Sequence, residues 1–169
     1  MRIFADLKIG NKQLTAKQIL YDPVLFLAFG FGSGLARKAP GTVGTLSALP
    51  IYWLLSQTNA VIYSLVTITV CASGIWICGQ ASDKLGENDF GGIVWDEIAG
   101  YLVTLWGVPY SWQAMLAGFL LFRYFDIVKP WPIRQIDKNL HGGLGIMLDD
   151  IVAGLFAAII LLFIMPWMV

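Results

Sequence analysis

No lysine, arginine, aspartate or glutamate occurs between Ala39 and Ser82, a stretch of 44 residues. A helix needs about 20 mostly apolar residues to cross the hydrocarbon core of a bilayer, so this stretch has room for two such helices. The whole chain is 57% hydrophobic and only 13% charged, and its mean hydropathy is +0.70. Soluble domains carry about 25% charged residues. The sequence therefore predicts an all-α integral membrane protein.

Polar turns divide the chain into about five apolar segments. The segments are 41–58, 60–79, 93–108, 113–128 and 151–169. The run 23–31 is too short to cross a bilayer, and we expect it to form an interfacial helix. We predict a single domain over residues 1–169, with a polar cytoplasmic arm at 1–21 followed by a membrane bundle at 22–169.

The basic residues predict an orientation in the membrane. If the amino terminus is cytoplasmic and the chain crosses five times, the turns near Asn59 and Ser111 face outward, and neither contains lysine or arginine. All eleven basic residues then lie on the cytoplasmic side, as the positive-inside rule requires. The formal net charge is zero, so there is no basic field that would recruit nucleic acid.

A charged island at 123–154 interrupts the apolar sequence. It contains the only histidine of the chain together with four basic and four acidic residues: His141, Arg123, Lys129, Arg134, Lys138, Asp126, Asp137, Asp149 and Asp150. The basic residues suit anionic head groups, although they also fit the ordinary positive-inside signal. The histidine is followed by Gly142 and Gly143, which predict a flexible turn, and it is a general acid, a ligand or a structural residue.

Counting residues along a helical hairpin places several acids at one depth. The turn between two apolar segments centres near Ser111, so Asp96 and Asp126, each 15 residues away, should share a level. We expect the acids Asp96, Glu97, Asp126, Asp149 and Asp150 to converge near the cytoplasmic interface. Acids at a membrane margin need partners or a cation, and Mg²⁺ prefers carboxylate oxygens. The alternative is that these acids pair with basic residues or cap helices.

The loop 32–45, with the sequence GSGLARKAPGTVGT, precedes the first long apolar segment. Glycines and hydroxyls ahead of a helix expose backbone N–H groups that attract phosphate, and Arg37 and Lys38 add positive charge. The order of residues is not that of a Walker loop. The alternative is that the glycines allow helices to pack closely.

Several phosphatase mechanisms are excluded by what the sequence lacks. It has no Asp-x-Asp motif, neither cysteine has an arginine six residues after it, and one histidine cannot serve a mechanism that needs two. Metal-assisted attack of water on phosphorus remains.

Five motifs together resemble the phosphatidylglycerophosphatase A family. They are GFGSGL (30–35), APGTVGTL (39–46), IVWDEIAG (93–100), RYFDIVKPWPIRQID (123–137) and HGGLGIMLDDIVAG (141–154). The resemblance implies a multi-pass enzyme of the bacterial inner membrane, with its active site facing the cytoplasm. It also implies Mg²⁺ as cofactor and the hydrolysis of phosphatidylglycerophosphate to phosphatidylglycerol and phosphate.

The resemblance matches Asp96, Glu97, Asp149, Asp150, Arg123, Asp126 and Lys129 to family motifs, and the chemistry of the residues suggests the other roles. Asp96, Glu97, Asp149 and Asp150 are expected to bind the metal, and Asp126, Arg123 and His141 to act in catalysis. The expected substrate-binding residues are Lys129, Arg134, Gly41, Thr42, Thr45 and Lys38.

Two other functions remain open at this point. A CDP-alcohol phosphotransferase also uses membrane acids and Mg²⁺, but its D-G-x-x-A-R start is absent. A transporter bundle would place acids at mid-membrane rather than at one edge. The sequence leaves the oligomeric state open, including a homo-oligomer.

Overall fold

The computed structural model describes residues 7–9 and 12–167, and helices account for most of this structure. The elements in chain order are β1 (Leu7–Ile9), β2 (Lys12–Leu14), α1 (Ala16–Tyr21), α2 (Pro23–Ala28), a 3-10 helix (Gly30–Leu35), α3 (Pro40–Ser56), α4 (Ala60–Leu85), α5 (Trp95–Thr104), α6 (Trp112–Val128), α7 (Ile133–Asn139), α8 (Gly142–Ile164) and a second 3-10 helix (Met165–Trp167). β1 and β2 form an antiparallel hairpin. The predicted helical bundle is confirmed, and the hairpin lies in the arm that precedes it.

Helix α5 lies at the centre of the bundle. It packs against α3, α4, α6 and α8, and every one of its residues except Glu97 is buried. Tyr101 and Leu102 are fully enclosed, and Tyr63 of α4 donates a hydrogen bond of 2.7 Å to the Leu102 carbonyl oxygen. The other long helices therefore fix the position of the first turn of α5, which carries two acids.

The outer surface of the bundle is strongly apolar. On α4 alone, six large apolar side chains are exposed: Val61, Ile62, Leu65, Ile68, Ile75 and Trp76. Soluble monomers rarely expose continuous apolar patches of this kind. Two helices, α4 and α8, are also long and apolar enough to cross a membrane. Together these features indicate that the protein associates with a membrane.

Two helices differ in length from the sequence-based expectation. Helix α5 has 10 residues, which is about 15 Å and half a bilayer core, where the apolar run 93–108 predicted about 24 Å. Helix α8 begins at Gly142 rather than near 151. Asp149 and Asp150 consequently lie on the third turn of α8 and do not open it. The sequence predicts a flexible turn at Gly142 and Gly143, but the helix includes both of them.

One aspartate both caps an amino-terminal helix and links it to α4. The Asp22 side chain accepts hydrogen bonds from the backbone N–H groups of Val24 and Leu25 and so caps α2. It also pairs with Lys84 of α4 at 2.6 Å. Although partial burial acts in the opposite direction, the hydrogen bonds from Lys84 and these N–H groups lower the pKa of Asp22. Residues 1–6, 10 and 11 of the predicted arm lie outside the described residues.

Candidate active site

A cavity of about 160 Å³ lies where α5 begins and α6 ends. We call it the acidic cavity, and its lining residues are Asp89, Gly91, Ile93, Asp96, Glu97, Asp126, Lys129, Asp149 and Asp150. The five acids that depth counting placed in one layer all line it, so the structure brings them together. Their position at the cytoplasmic interface stays a prediction. Six acids and one lysine make the cavity strongly anionic.

Close contact between two helices brings the acids together. The backbones of α5 and α8 approach at Gly100 and Gly154, where a Cβ on Gly154 would collide with the Gly100 carbonyl oxygen. A Cβ on Gly100 would lie 2.7 Å from the Asp150 carbonyl oxygen. Only glycine permits this separation, which places the first turn of α5 beside Asp150. The glycines of the IVWDEIAG and LDDIVAG motifs thus set the distance between the two acid pairs.

Three of these acids form a group that suits a metal ion. One ligand oxygen each from Asp96, Glu97 and Asp150 lies within 4.8 Å of the others. Four carboxylate oxygens around the cavity are buried without a hydrogen-bond donor from any described residue: Asp96 Oδ1, Glu97 Oε2, Asp149 Oδ1 and Asp150 Oδ2. Buried polar atoms almost always have partners. Their arrangement therefore points to a cation between α5 and α8.

Two basic residues border the acids. Arg123 pairs with Asp126, and its Nη1 lies 3.6 Å from Glu97 Oε1. Lys129 donates hydrogen bonds to Asp149 at 2.5 Å and to Asp137 at 2.6 Å. Burial disfavours the charged lysine, but these two bonds outweigh it and raise the pKa of Lys129. The alternative that acids pair with basic residues therefore holds for Asp126, for one oxygen of Asp149 and, more loosely, for Glu97, but not for Asp96 or Asp150 among the described residues.

The lining of the cavity includes two strained backbone positions. Asp89 and Lys129 adopt φ angles of 53° and 45°, in the left-handed region that side chains other than glycine rarely occupy. Lys129 ends α6 in this conformation. Such a conformation costs about 1–2 kcal/mol per residue. It turns Lys129 towards Asp149 and Asp137, so the strain serves to position this side chain.

The glycine-rich loop reaches the acidic cavity through Gly41. A Cβ on Gly41 would collide with Glu97 Oε1 and would lie 3.1 Å from Arg123 Nη1. The first turn of α3 therefore packs directly against an acid and a base of the cavity. Thr42 is the next residue of this turn and is half-buried. The position of Gly41 fits the interpretation that the loop binds phosphate. Gly44 allows close packing against Val94, so the interpretation that the glycines serve packing also has support.

Four predicted site residues are not brought to the cavity. Thr45 is fully buried, and its hydroxyl donates to the Gly41 carbonyl oxygen at 2.8 Å. Lys38 and Arg134 are exposed. His141 is exposed at the N-cap position of α8, eight residues or about 12 Å along the helix from Asp149.

Asp89 and Asp137 are functional candidates that sequence reasoning missed. Asp89 lines the acidic cavity from the loop between α4 and α5, and Asp137 holds Lys129. Neither lies on a long helix, so depth counting could not place them. The one available signal for Asp89 was its position two residues before the glycine pair 91–92 in the polar loop between α4 and α5.

Exchanging Gly41 for alanine should impair activity more than stability. The new methyl group would displace the ends of the Glu97 and Arg123 side chains, which can rotate away, whereas no backbone has to move. A displacement of about 1 Å at a reacting centre costs about 100-fold in rate. We expect the catalytic activity of Gly41→Ala to fall by about that factor, with an unfolding midpoint close to that of the wild type. Gly79→Ala is the control, since its methyl group makes only ordinary contacts at 3.5 Å. Equal activity of the two variants would contradict this placement of Gly41.

The fold and the site together define an apolar helical protein with an anionic cavity at one end of its bundle. Comparison with known proteins agrees with this class. The family model for phosphatidylglycerophosphatase A matches residues 26–165. The phosphatidylglycerophosphatase A of Escherichia coli (strain K12) is 48% identical over 144 residues, covering 85% of this chain and 84% of the relative. That of Haemophilus influenzae (strain ATCC 51907 / DSM 11121 / KW20 / Rd) is 43% identical over 151 residues, covering 88% and 93%.

The chain therefore belongs to the phosphatidylglycerophosphatase A family, and it is a phosphatase. The resemblance carried by the five sequence motifs is confirmed. No solved structure matches the chain significantly.

Proposed function

We propose that this protein hydrolyses phosphatidylglycerophosphate to phosphatidylglycerol and inorganic phosphate in glycerophospholipid biosynthesis, with Mg²⁺ as its cofactor. Family membership and the names of the bacterial relatives support the substrate. The observation that carries the proposal is the group of four buried carboxylate oxygens without donors around one cavity. A phosphatase whose site contains such oxygens needs a cation before it can accept an anionic substrate.

The residues of the acidic cavity fit Mg²⁺. This ion prefers carboxylate oxygens and retains several waters, so three acids within 4.8 Å and an open cavity suit it. Asp96, Glu97 and Asp150 would hold it, and Asp149 has one further oxygen without a donor. The six acids of the cavity carry more negative charge than the two bases Arg123 and Lys129 can neutralise. The remaining negative charge is enough for one or two divalent ions. When bound, Mg²⁺ supplies polarisation of a phosphoryl oxygen and neutralisation of negative charge.

The remaining residues bind and orient the substrate. Arg123 presents a guanidinium group that matches phosphate oxygens in a bidentate manner, and Lys129 adds a second positive charge. The backbone N–H groups of Gly41 and Thr42 lie in the first turn of α3, which has no side-chain cap, and there they can donate to phosphate. Asp126 is positioned by Arg123 to orient a water molecule. Roles for Thr45, Lys38, Arg134 and His141 remain predictions.

We also propose that the protein is a multi-pass protein of the bacterial inner membrane, with the acidic cavity on the cytoplasmic side. Helices α4 and α8 are about 39 and 34 Å long, which exceeds the roughly 30 Å of hydrocarbon. The basic residues near the cavity fit the cytoplasmic side. At the other end of the bundle, Trp106, Tyr110 and Trp112 are exposed, as aromatic residues are at a membrane interface.

Phosphate release by the purified protein in detergent tests the function. Phosphatidylglycerophosphate, phosphatidic acid and CDP-diacylglycerol are compared, each with Mg²⁺ and with a chelator. We expect the first substrate to be preferred, and the chelator to reduce its turnover by about 1,000-fold or more, equal to several kcal/mol of transition-state stabilisation. Preference for another substrate would contradict the proposed substrate. Undiminished turnover in the presence of the chelator would contradict the proposed requirement for Mg²⁺.

A further inference from the structure

A second cavity lies between the outer faces of α3 and α6. This α3–α6 groove has a volume of about 280 Å³, and its lining residues are Leu46, Leu49, Trp112, Met115, Leu116 and Phe119. All six are apolar, and Leu46, Leu116 and Trp112 are exposed by 45%, 52% and 68%. The groove is therefore an open apolar channel on the surface of the bundle, distinct from the acidic cavity.

The wall that α6 contributes leads directly to the acidic cavity. Trp112, Leu116, Phe119 and Arg123 follow one another at intervals of four, three and four residues, which places them on one face of the helix. Phe119 lies about 6 Å below Arg123 along the axis, and Trp112 about 16 Å below it. One helical face thus carries a phosphate-binding candidate at its upper end and apolar residues beneath.

The wall that α3 contributes has the same arrangement. Thr42, Leu46 and Leu49 are spaced by four and three residues and share a face. Gly41, beside Thr42, packs against Arg123 and Glu97, so α3 begins where α6 ends and the two helices run in opposite directions. The polar ends of the two helix faces therefore lie side by side, and so do their apolar ends.

We propose that the α3–α6 groove binds one acyl chain of the phospholipid substrate, an inference that rests on the proposed function. The molecule to be bound carries an anionic phosphate head and long apolar tails. The two facing walls offer Arg123 and Thr42 to the head, and an apolar groove on the same helix faces to a tail.

The groove acts by position rather than by raw affinity. Lipid tails surround the protein on all sides and are as apolar as leucine, so burial in the groove gains little hydrophobic free energy. Its effect is to hold one chain along α6, and thereby the phosphate beside Arg123 and the acidic cavity. Filling the groove should consequently impair turnover of long-chain substrate only.

The test compares Leu116→Trp, which fills the groove, with Leu65→Trp on α4. Leu65 is 60% exposed, and α4 contributes no residue to the lining of the groove, so its exchange is the matched control. Phosphate release is measured with palmitoyl and butyryl forms of phosphatidylglycerophosphate in detergent. We expect Leu116→Trp to lower kcat/KM for the palmitoyl form by about tenfold or more. Its butyryl turnover, and both activities of Leu65→Trp, should equal those of the wild type.

The other outcomes overturn the inference. Equal losses on both substrates, or equal losses in both variants, mean that the groove does not hold an acyl chain. A change in oligomeric state of Leu116→Trp by sedimentation means that the groove is an interface between copies. If the wild type releases no phosphate from either form, the proposed function itself is wrong, and this result differs from a failure of the groove alone.

Discussion

Replacing Glu97 with glutamine should reduce phosphate release by about 1,000-fold or more. Glutamine keeps the size and shape of the side chain but removes the negative charge, so one of the three grouped carboxylates is lost. Losing a single preorganised electrostatic group in an active site costs about 100- to 1,000-fold, and a metal ligand also sets the occupancy of the ion. The measurement is kcat/KM for phosphatidylglycerophosphate over a range of Mg²⁺ concentrations.

Glu87→Gln is the matched control for this variant. Glu87 is an exposed acid between α4 and α5 and does not line the acidic cavity. The same chemical change there should leave kcat/KM within about twofold of the wild type, as surface changes usually do. A second measurement separates binding from chemistry: Mg²⁺ should raise the unfolding midpoint of wild type and Glu87→Gln, but much less that of Glu97→Gln. If Glu97→Gln keeps more than a tenth of the activity, Glu97 does not hold the metal.

The acids of the site could be predicted because helix geometry converts spacing into depth. Residues equally far from a turn lie at one level, which brought Asp96 and Asp126 together without any knowledge of packing. The same argument cannot treat a loop, since a loop has no fixed rise per residue. Asp89, which completes the lining, was missed for this reason. Asp137, which supports Lys129, lies on the short helix α7 outside the hairpin whose residues were counted.

The basic residues were harder to interpret from the sequence. In a membrane protein, lysine and arginine gather at the cytoplasmic edge whatever their function, because orientation requires it. Charge alone therefore could not separate Arg123 and Lys129, which contact the acids, from Lys38 and Arg134, which are exposed. His141 illustrates the same limit. It is only eight residues from Asp149 in sequence, but this spacing along α8 puts it about 12 Å away.

The lengths of the helices depended on contacts that the sequence does not display. Glycines favour turns by intrinsic propensity, so the HGGLG stretch was interpreted as a loop. In the structure, packing outweighs that propensity. A side chain at position 143 would collide with the backbone of Ile75, and a side chain at position 145 would collide with the backbone of Leu140. The glycines are needed for close approach, and the helix extends through them.

Gly143→Ala should therefore destabilise the protein strongly. A Cβ at this position would collide with the Ile75 carbonyl oxygen and would lie 2.7 Å from the backbone nitrogen of Gly79, both on α4. Backbone atoms inside a helix cannot rotate away, so α4 and α8 would have to separate. Overfilling a packed site costs about 1–3 kcal/mol and occasionally more. We expect a loss at the upper end of this range, measured as the free energy of unfolding in detergent.

Gly79→Ala tests the same helix crossing from the other side and should have the opposite sign. Its methyl group would lie 3.5 Å from Gly143, an ordinary van der Waals contact, within the interior of α4. Alanine is favoured over glycine in a helix interior by about 1 kcal/mol, so this variant should be slightly more stable than the wild type. If both variants destabilise equally, the crossing is uniformly tight and the specific clash at Ile75 is wrong. If both variants are more stable than the wild type, α4 and α8 do not approach each other closely at Gly143. The contact that supports the first turn of α8, ahead of the acids of the cavity, would then be absent.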